Sequence, residues 1–183
     1  ATTRAYYRSS YVFVTRADFG EDVTGWDSPA LKTAHIGVIP GTPAEVMLVQ
    51  LGRYADSFRY MMSLGGNKAP RNRYVRYDSE KLIRDLAAGE IDVAVAWAPS
   101  VARYIKSAAT PLKVTQVPAQ ASKSNGEPVH FHFDTAIAVR KDDHALLARI
   151  EAALARSRDD IEGVLRAEGI QILPPHPVAE GNK

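Results

Sequence analysis

A chain of 183 residues with a formal charge of only +2, and no run of like charge beyond a few residues, has no electrostatic reason to seek nucleic acid or a membrane surface. The absence of cysteine excludes disulfides, thiolate nucleophiles and cysteine-ligated metals. The length suffices to bury about 70% of the unfolded surface, in one domain or two small ones, and no apolar span approaches the roughly 20 residues of a membrane helix.

Ala1-Thr2-Thr3 does not resemble the start of a signal peptide, so any targeting segment is expected to have been removed already. Aromatic and β-branched residues within Arg4–Arg16 predict a strand across Tyr11–Thr15, with no earlier segment to pair with it. Asp18–Pro29, with Gly20 and Gly25, predicts a loop from which Trp26 packs on the body. Ile36–Val38 reads as a buried parallel strand, which Pro40-Gly41-Thr42-Pro43 ends before an apolar helix opens near Pro43. Proline at the first helical position loses only an amide without an intrahelical partner, and Thr42 is placed to accept from the free N–H groups of the first turn. Strand, glycine turn and helix N-terminus in direct succession make either an anion-binding corner or a capped turn with no ligand.

Arg53–Leu64 predicts a second helix carrying Phe58, Met61, Met62 and Leu64, with the methionines as core filler. Gly65–Arg71 is a loop that forms, with Arg73 and Arg76, the one local basic cluster: a solvated loop or a dock for an acidic partner. Tyr74–Tyr77 reads as a short strand. Asp78-Ser79-Glu80 then begins a capped helix with an acidic first turn, Leu82, Ile83 and Leu86 form its apolar face, and Gly89 stops it.

The near-continuous apolar run Ile91–Trp97 predicts a central strand buried on both faces, with Asp92 at its start as a structural carboxylate capping a neighbouring loop. Pro99 opens another helix through Lys106, and Leu112–Val117 forms one more strand. Ala119–Pro128 predicts a mobile polar connector. His130–Val139 is extended, with two histidines on one face and Phe131 and Phe133 on the other. Asp142-Asp143 caps a helix through Leu154, Asp159–Glu168 forms a second that ends at Gly169, and the tail from Pro174 to Lys183 is expected to fray.

This alternation predicts an α/β fold with a mostly parallel sheet and helices on both faces. Ligands on such sheets bind beyond the carboxyl ends of strands, an edge that here would carry Pro40–Thr42 and Trp97–Pro99. No G-x-S-x-G, P-loop, G-x-G-x-x-G or H-E-x-x-H occurs in the chain. His130-x-His132 is the best metal candidate, but a proline separates it from Glu127 and nothing completes the set, which leaves two surface or partner-contacting histidines. The absence of a catalytic constellation favours a binding protein over an enzyme, with no cofactor implied.

Read together, YYRSSYVFVTR, HIGVIPGTPAEVML, YDSEKLIRDLAAGEIDVAVAWAPSVARYI and DTAIAVRKDDHALLARIEAAL resemble the type II periplasmic solute-binding proteins of the amino-acid branch. More closely, they resemble the MxaJ/XoxJ proteins associated with quinoprotein methanol dehydrogenases. The resemblance extends to about Leu173, and IDVAVAW-x-P with its later DD return is the specific part. It implies a periplasmic protein of two lobes. Residues 1–13 would be a hinge-crossing strand, 14–131 the second lobe, 132–173 the return strand and helices of the first lobe, and 174–183 a flexible tail, with the N-terminal part of the first lobe absent.

The function implied by the resemblance is non-catalytic: binding, and assembly or activation, of a PQQ-dependent methanol dehydrogenase of the lanthanide or calcium type, with its cytochrome c as a further partner. The alternative is a transport-linked solute-binding protein for a small organic ligand. Amino-acid binders often carry a lysine for the ligand carboxylate two residues before the corner glycine, and an aspartate for the amine in the strand signature. This chain has Ile39 and Trp97 there. An α-amino acid would leave both termini poorly paired where water is excluded, so that ligand is expected to be lost. The expected cleft or partner-binding residues are Tyr11, Gly41, Thr42, Trp97 and Pro99, an aromatic edge suited to a protein segment. The faces Leu146/Ile150/Leu154 and Ile161/Val164/Leu165 are expected to pair two chains as a homodimer.

Overall fold

The computed structural model describes residues 1–61 and 77–174. In chain order these form β1 (Tyr7–Arg16), a 3-10 turn (Pro29–Lys32), β2 (Ile36–Val38), α1 (Pro43–Gln50), β3 (Phe58–Arg59), α2 (Ser79–Ala88), β4 (Val93–Trp97) and α3 (Ala98–Lys106). There follow β5 (Leu112–Gln116), β6 (Gln120–Ser122), β7 (Pro128–His130), β8 (His132–Thr135), α4 (His144–Arg156) and α5 (Arg158–Ala167).

All neighbours of β1 come later in the chain, which is how so apolar a strand can stand near the start. The sheet order is β3-β2-β4-β1-β5, with β8 also on β1. Strand β1 runs antiparallel to β4, with Tyr11 opposite Trp97, and antiparallel to β5, with Val14 opposite Val114. Strand β8 takes over where β5 ends. The Tyr11 carbonyl accepts from Val117 N–H at 3.0 Å while its own N–H donates to the Phe131 carbonyl at 2.8 Å. The α/β class read from the alternation is present, but the sheet is mixed: parallel pairing is confined to β3, β2 and β4. The helix α3 joins two strands that are not neighbours, because β1 lies between them.

Two-residue periodicity divides β1 between two apolar layers. Tyr11 and Phe13 face Trp26, Leu31, Met47, Leu48 and Phe131, whereas Val12 and Val14 face Leu82, Ile83, Leu86, Ile91 and Val101. The five residues of β4 serve both layers, as the run IDVAVAW requires. Gly37 of β2 is held by close approach. A Cβ there would stand 2.5 Å from Ile91 Cδ1 and 2.7 Å from Leu82 Cδ1, both in fully buried side chains. Gly37→Ala is therefore expected to cost about 1–3 kcal/mol through overpacking, seen as a lower urea midpoint at an unchanged slope.

Helix termini follow the local signals. Asp78 and Asp143 accept from the backbone N–H of Lys81 and Leu146, and Gly89 takes φ +82° after α2. Asp92 caps as expected: its carboxylate accepts from His35 N–H at 2.8 Å and lies 3.0 Å from His35 Nδ1. Asp92→Ala is expected to cost about 1 kcal/mol, the usual value of a side chain that satisfies a backbone donor. Trp26 packs on Phe13 and Phe131, with ring centroids 5.1 and 5.4 Å away.

Two expectations are corrected. The helix expected over Arg53–Leu64 is absent from its described part, a turn followed by β3. Gly52 at φ +70° ends α1 with Arg53 N–H donating back to Leu48 O, and the Arg53 guanidinium bonds Leu31 O at 2.7 Å and Ala34 O at 2.9 Å. Arg53 is thereby tied back to the end of α1 by its backbone and to the segment before β2 by its side chain. Met61 is consequently 54% exposed and is not core filler. Met62, Leu64, the loop Gly65–Arg71, Arg73, Tyr74–Arg76 and the tail beyond Pro174 lie outside the described residues.

The polar connector Ala119–Pro128 contains most of a hairpin, β6 against β7. Lys123 N–H donates to Glu127 O, Gly126 N–H to Lys123 O, and Val129 is buried beneath. Phe131 and Phe133 do share the expected face, each ring against that of Tyr11 with centroids 6.0 and 6.2 Å away, but at different depths. The chain leaves the hairpin at Phe131, which is fully buried, and Phe133 lies on β8 at 40% exposure.

Helices α4 and α5 contain no buried residue, and Leu146 and Val164 stand 41% and 63% exposed. The segment after α5 returns to β1, where Ser9 Oγ donates to Gln171 O and Leu173 N–H to Arg8 O, both at 2.8 Å. Among the described residues, no helix is long and apolar enough to cross a membrane.

Candidate functional site

The cross-strand pair Tyr11–Trp97 brings two of the five expected site residues into contact at the end of β4. Their ring centroids lie 5.5 Å apart, and Phe133 completes a triangle at 6.2 Å from Tyr11 and 5.9 Å from Trp97. Phe131 supports Tyr11 from the core at 6.0 Å. Phe133 meets both rings edge to face, at 71° and 69°, and Tyr11 and Trp97 are tilted at 55°, arrangements worth more than the buried area alone. Tyr11 is nearly buried, Trp97 half-buried and Phe133 exposed, so the cluster grades from core to surface. Burial, and secondarily the neighbouring Tyr77 hydroxyl, raises the Tyr11 phenol above its ordinary pKa.

Pro99 stands in the first turn of α3, two residues after Trp97, whose side chain does not cap that helix. Gly41 and Thr42 form the facing corner before α1, and a Cβ on Gly41 would lie 3.5 Å from the Tyr77 hydroxyl. Tyr77 is 51% exposed beside this corner.

The corner itself differs from expectation. Thr42 makes no cap; its hydroxyl donates to Ile39 O at 2.8 Å. The carboxylate of Glu45, one turn along α1, instead accepts from Gly41 N–H at 2.7 Å. A negative charge from the chain itself thus occupies the position where an anionic ligand would profit from the helix end. Ile39 is also buried, among Val12, Val14, Tyr60 and Leu82, so its side chain belongs to the core rather than the edge.

Phe133 and Tyr77 were not among the residues singled out from sequence. Phe133 lies in the expected return strand, but its partner Tyr11 lies more than a hundred residues earlier. Tyr77 carries no local signal. His130 and His132 do not converge on a common ligand set: His132 Nε2 lies 2.9 Å from Val117 O, and Glu127 pairs with Lys123. Among the described residues, no three metal-ligating side chains gather.

No family model matches the chain. It is 44% identical over 174 residues to Protein MoxJ of Methylorubrum extorquens, covering 94% of this chain and 58% of that relative. The crystal structure of MxaJ from Methlophaga aminisulfidivorans MPT superposes with a TM-score of 0.84 at 45% identity, over 94% of this chain and 71% of that one. The crystal structure of the periplasmic binding protein XoxJ from Methylobacterium extorquens AM1 superposes with a TM-score of 0.72 at 27% identity, over 95% and 73% of the two chains. The chain thus spans less than two thirds of its MoxJ relative but most of both solved structures, with a periplasmic-binding-protein fold throughout. It belongs to the MoxJ/MxaJ family.

Proposed function

We propose that this chain acts in the periplasm as a non-catalytic accessory protein, which docks a segment of a PQQ-dependent methanol dehydrogenase on the Tyr11–Trp97–Phe133 edge and helps to assemble or activate that enzyme. The observation that carries this reading is the chemistry of the edge. Three mutually packed rings rise from the core to the surface, and the opposite corner is closed by Glu45. Ile39 and Trp97 stand where amino-acid binders carry a lysine and an aspartate, so neither position offers a charge to the carboxylate or the amine of a free amino acid, whereas aromatic anchors of graded burial are what protein interfaces use. The dehydrogenase, of lanthanide or calcium type and with its cytochrome c as a further partner, enters through the family to which the chain belongs. The division into a crossing strand, a second lobe over 14–131 and first-lobe elements over 132–173 belongs to the same reading. It is supported by the pairing of β8 with the first half of β1.

The test is calorimetric titration of the full-length protein against purified methanol dehydrogenase, in metal-loaded and metal-free forms. Saturable binding that prefers one form supports the accessory role and gives its direction. Binding to neither, together with a thermal shift from a panel of small organic ligands, makes this a transport-linked solute-binding protein instead. The homodimer through α4 and α5 draws support from their exposed apolar residues, and a strictly monomeric mass by light scattering at micromolar concentration rejects it.

A further inference from the structure

Asn125-Gly126 is the one Asn-Gly dipeptide in the chain, and the fold sets it at the tip of the β6–β7 hairpin, where Ser124 to Pro128 are all exposed. Gly126 takes φ +85°, with open space where a Cβ would stand. Asn125 Oδ1 accepts from Glu127 N–H at 3.1 Å. That bond folds the carboxamide back over the Gly126 peptide and withdraws electron density from its carbonyl, which makes Cγ a better electrophile.

We propose that Asn125 is a self-modification site, at which the chain converts its own side-chain amide into an acid. The Gly126 nitrogen gives its proton to solvent base and attacks Asn125 Cγ. A new N–Cγ bond forms while the Cγ–Nδ2 bond breaks, and Nδ2 takes up a proton and leaves as ammonia. Water then opens the five-membered imide at either carbonyl, yielding aspartate or its β-linked isomer. The chain has exchanged ammonia for water, with no change of oxidation state. Glycine at the second position speeds the step because a Cβ would obstruct the approach of its nitrogen. The one brake is the bond from Gly126 N–H to Lys123 O at 2.9 Å, which must open first. At a tip with no buried side chain that opening costs little. The product places a second carboxylate beside Glu127, so that Lys123 faces two acids where it now pairs with one.

The experiment incubates the intact chain at mildly alkaline pH and maps its peptides by mass spectrometry, with enzymatic labelling of β-linked aspartate. Conversion concentrated at Asn125, at a rate within about tenfold of a free peptide spanning the hairpin tip, is the expected result. Gly126→Ala is expected to slow it at least about tenfold, and Asn125→Gln to abolish it with the hairpin retained. An Asn125 that stays intact in the folded chain while the peptide converts, or conversion spread evenly over the asparagines, overturns the proposal.

Discussion

Phe131→Ala is expected to lower the unfolding free energy by about 3–5 kcal/mol, the largest loss of any single substitution considered in this chain. Phe131 is fully buried, its ring packs on those of Tyr11 and Trp26, and its backbone ties the six-stranded sheet at Tyr11 to Ala119, just before the separate β6–β7 hairpin. Its carbonyl accepts from Tyr11 N–H, and its N–H donates to Ala119 O at 3.0 Å. Those backbone bonds survive truncation, so the cost is the lost transfer energy of the ring plus the cavity left beneath Tyr11. Phe131→Leu refills most of that space and is expected to recover more than half of the loss. Urea unfolding followed by tryptophan fluorescence measures both variants, because Trp26 borders the same cavity. A loss below about 1 kcal/mol would mean that the layer around β1 collapses freely into the void, contrary to close packing.

The elements legible in the sequence are those whose determinants are local. Strand β4 is announced by an apolar run, because both its faces are buried. Helix α2 carries its own cap in Asp78 and its own stop in Gly89, and Asp92 sits at a strand start where a carboxylate has a backbone donor within reach. The rest depends on partners far along the chain. That β1 is central follows from strands ending at Trp97, Gln116 and Thr135, none of which announces where it pairs. Arg53 looks like an ordinary helix former until its guanidinium is seen on Leu31 O and Ala34 O. The β6–β7 hairpin hides in polar composition, since only Ala121 and Val129 turn towards the core. At the candidate site, Tyr11 and Trp97 could be named singly. Their mutual contact, the addition of Phe133 and Tyr77, and the capture of Gly41 by Glu45 required the fold.

On the proposed docking of the dehydrogenase at this edge, Trp97→Ala is expected to weaken that binding at least about thirtyfold, the effect of losing an interface residue that contributes 2 kcal/mol or more. Half-buried at the carboxyl end of β4, Trp97 is held on one side by Tyr11 and Phe133 and presents the other to solvent. A partner side chain seated there desolvates an anchor already ordered by its neighbours, so little rotamer entropy remains to be lost on binding. Phe133→Ala is expected to cost less, and the double variant less than the sum of the two, since each ring positions the other; a coupling of about 0.5–1.5 kcal/mol is the scale for such aromatic pairs. Phe58→Ala provides the control. That ring is 45% exposed but lies against His35, 6.2 Å away, at the other end of the sheet, and its removal should leave affinity unchanged. If Trp97→Ala bound as tightly as the parent while Phe58→Ala did not, the docking surface would lie on β3, and the aromatic edge would be no more than the rim of the core.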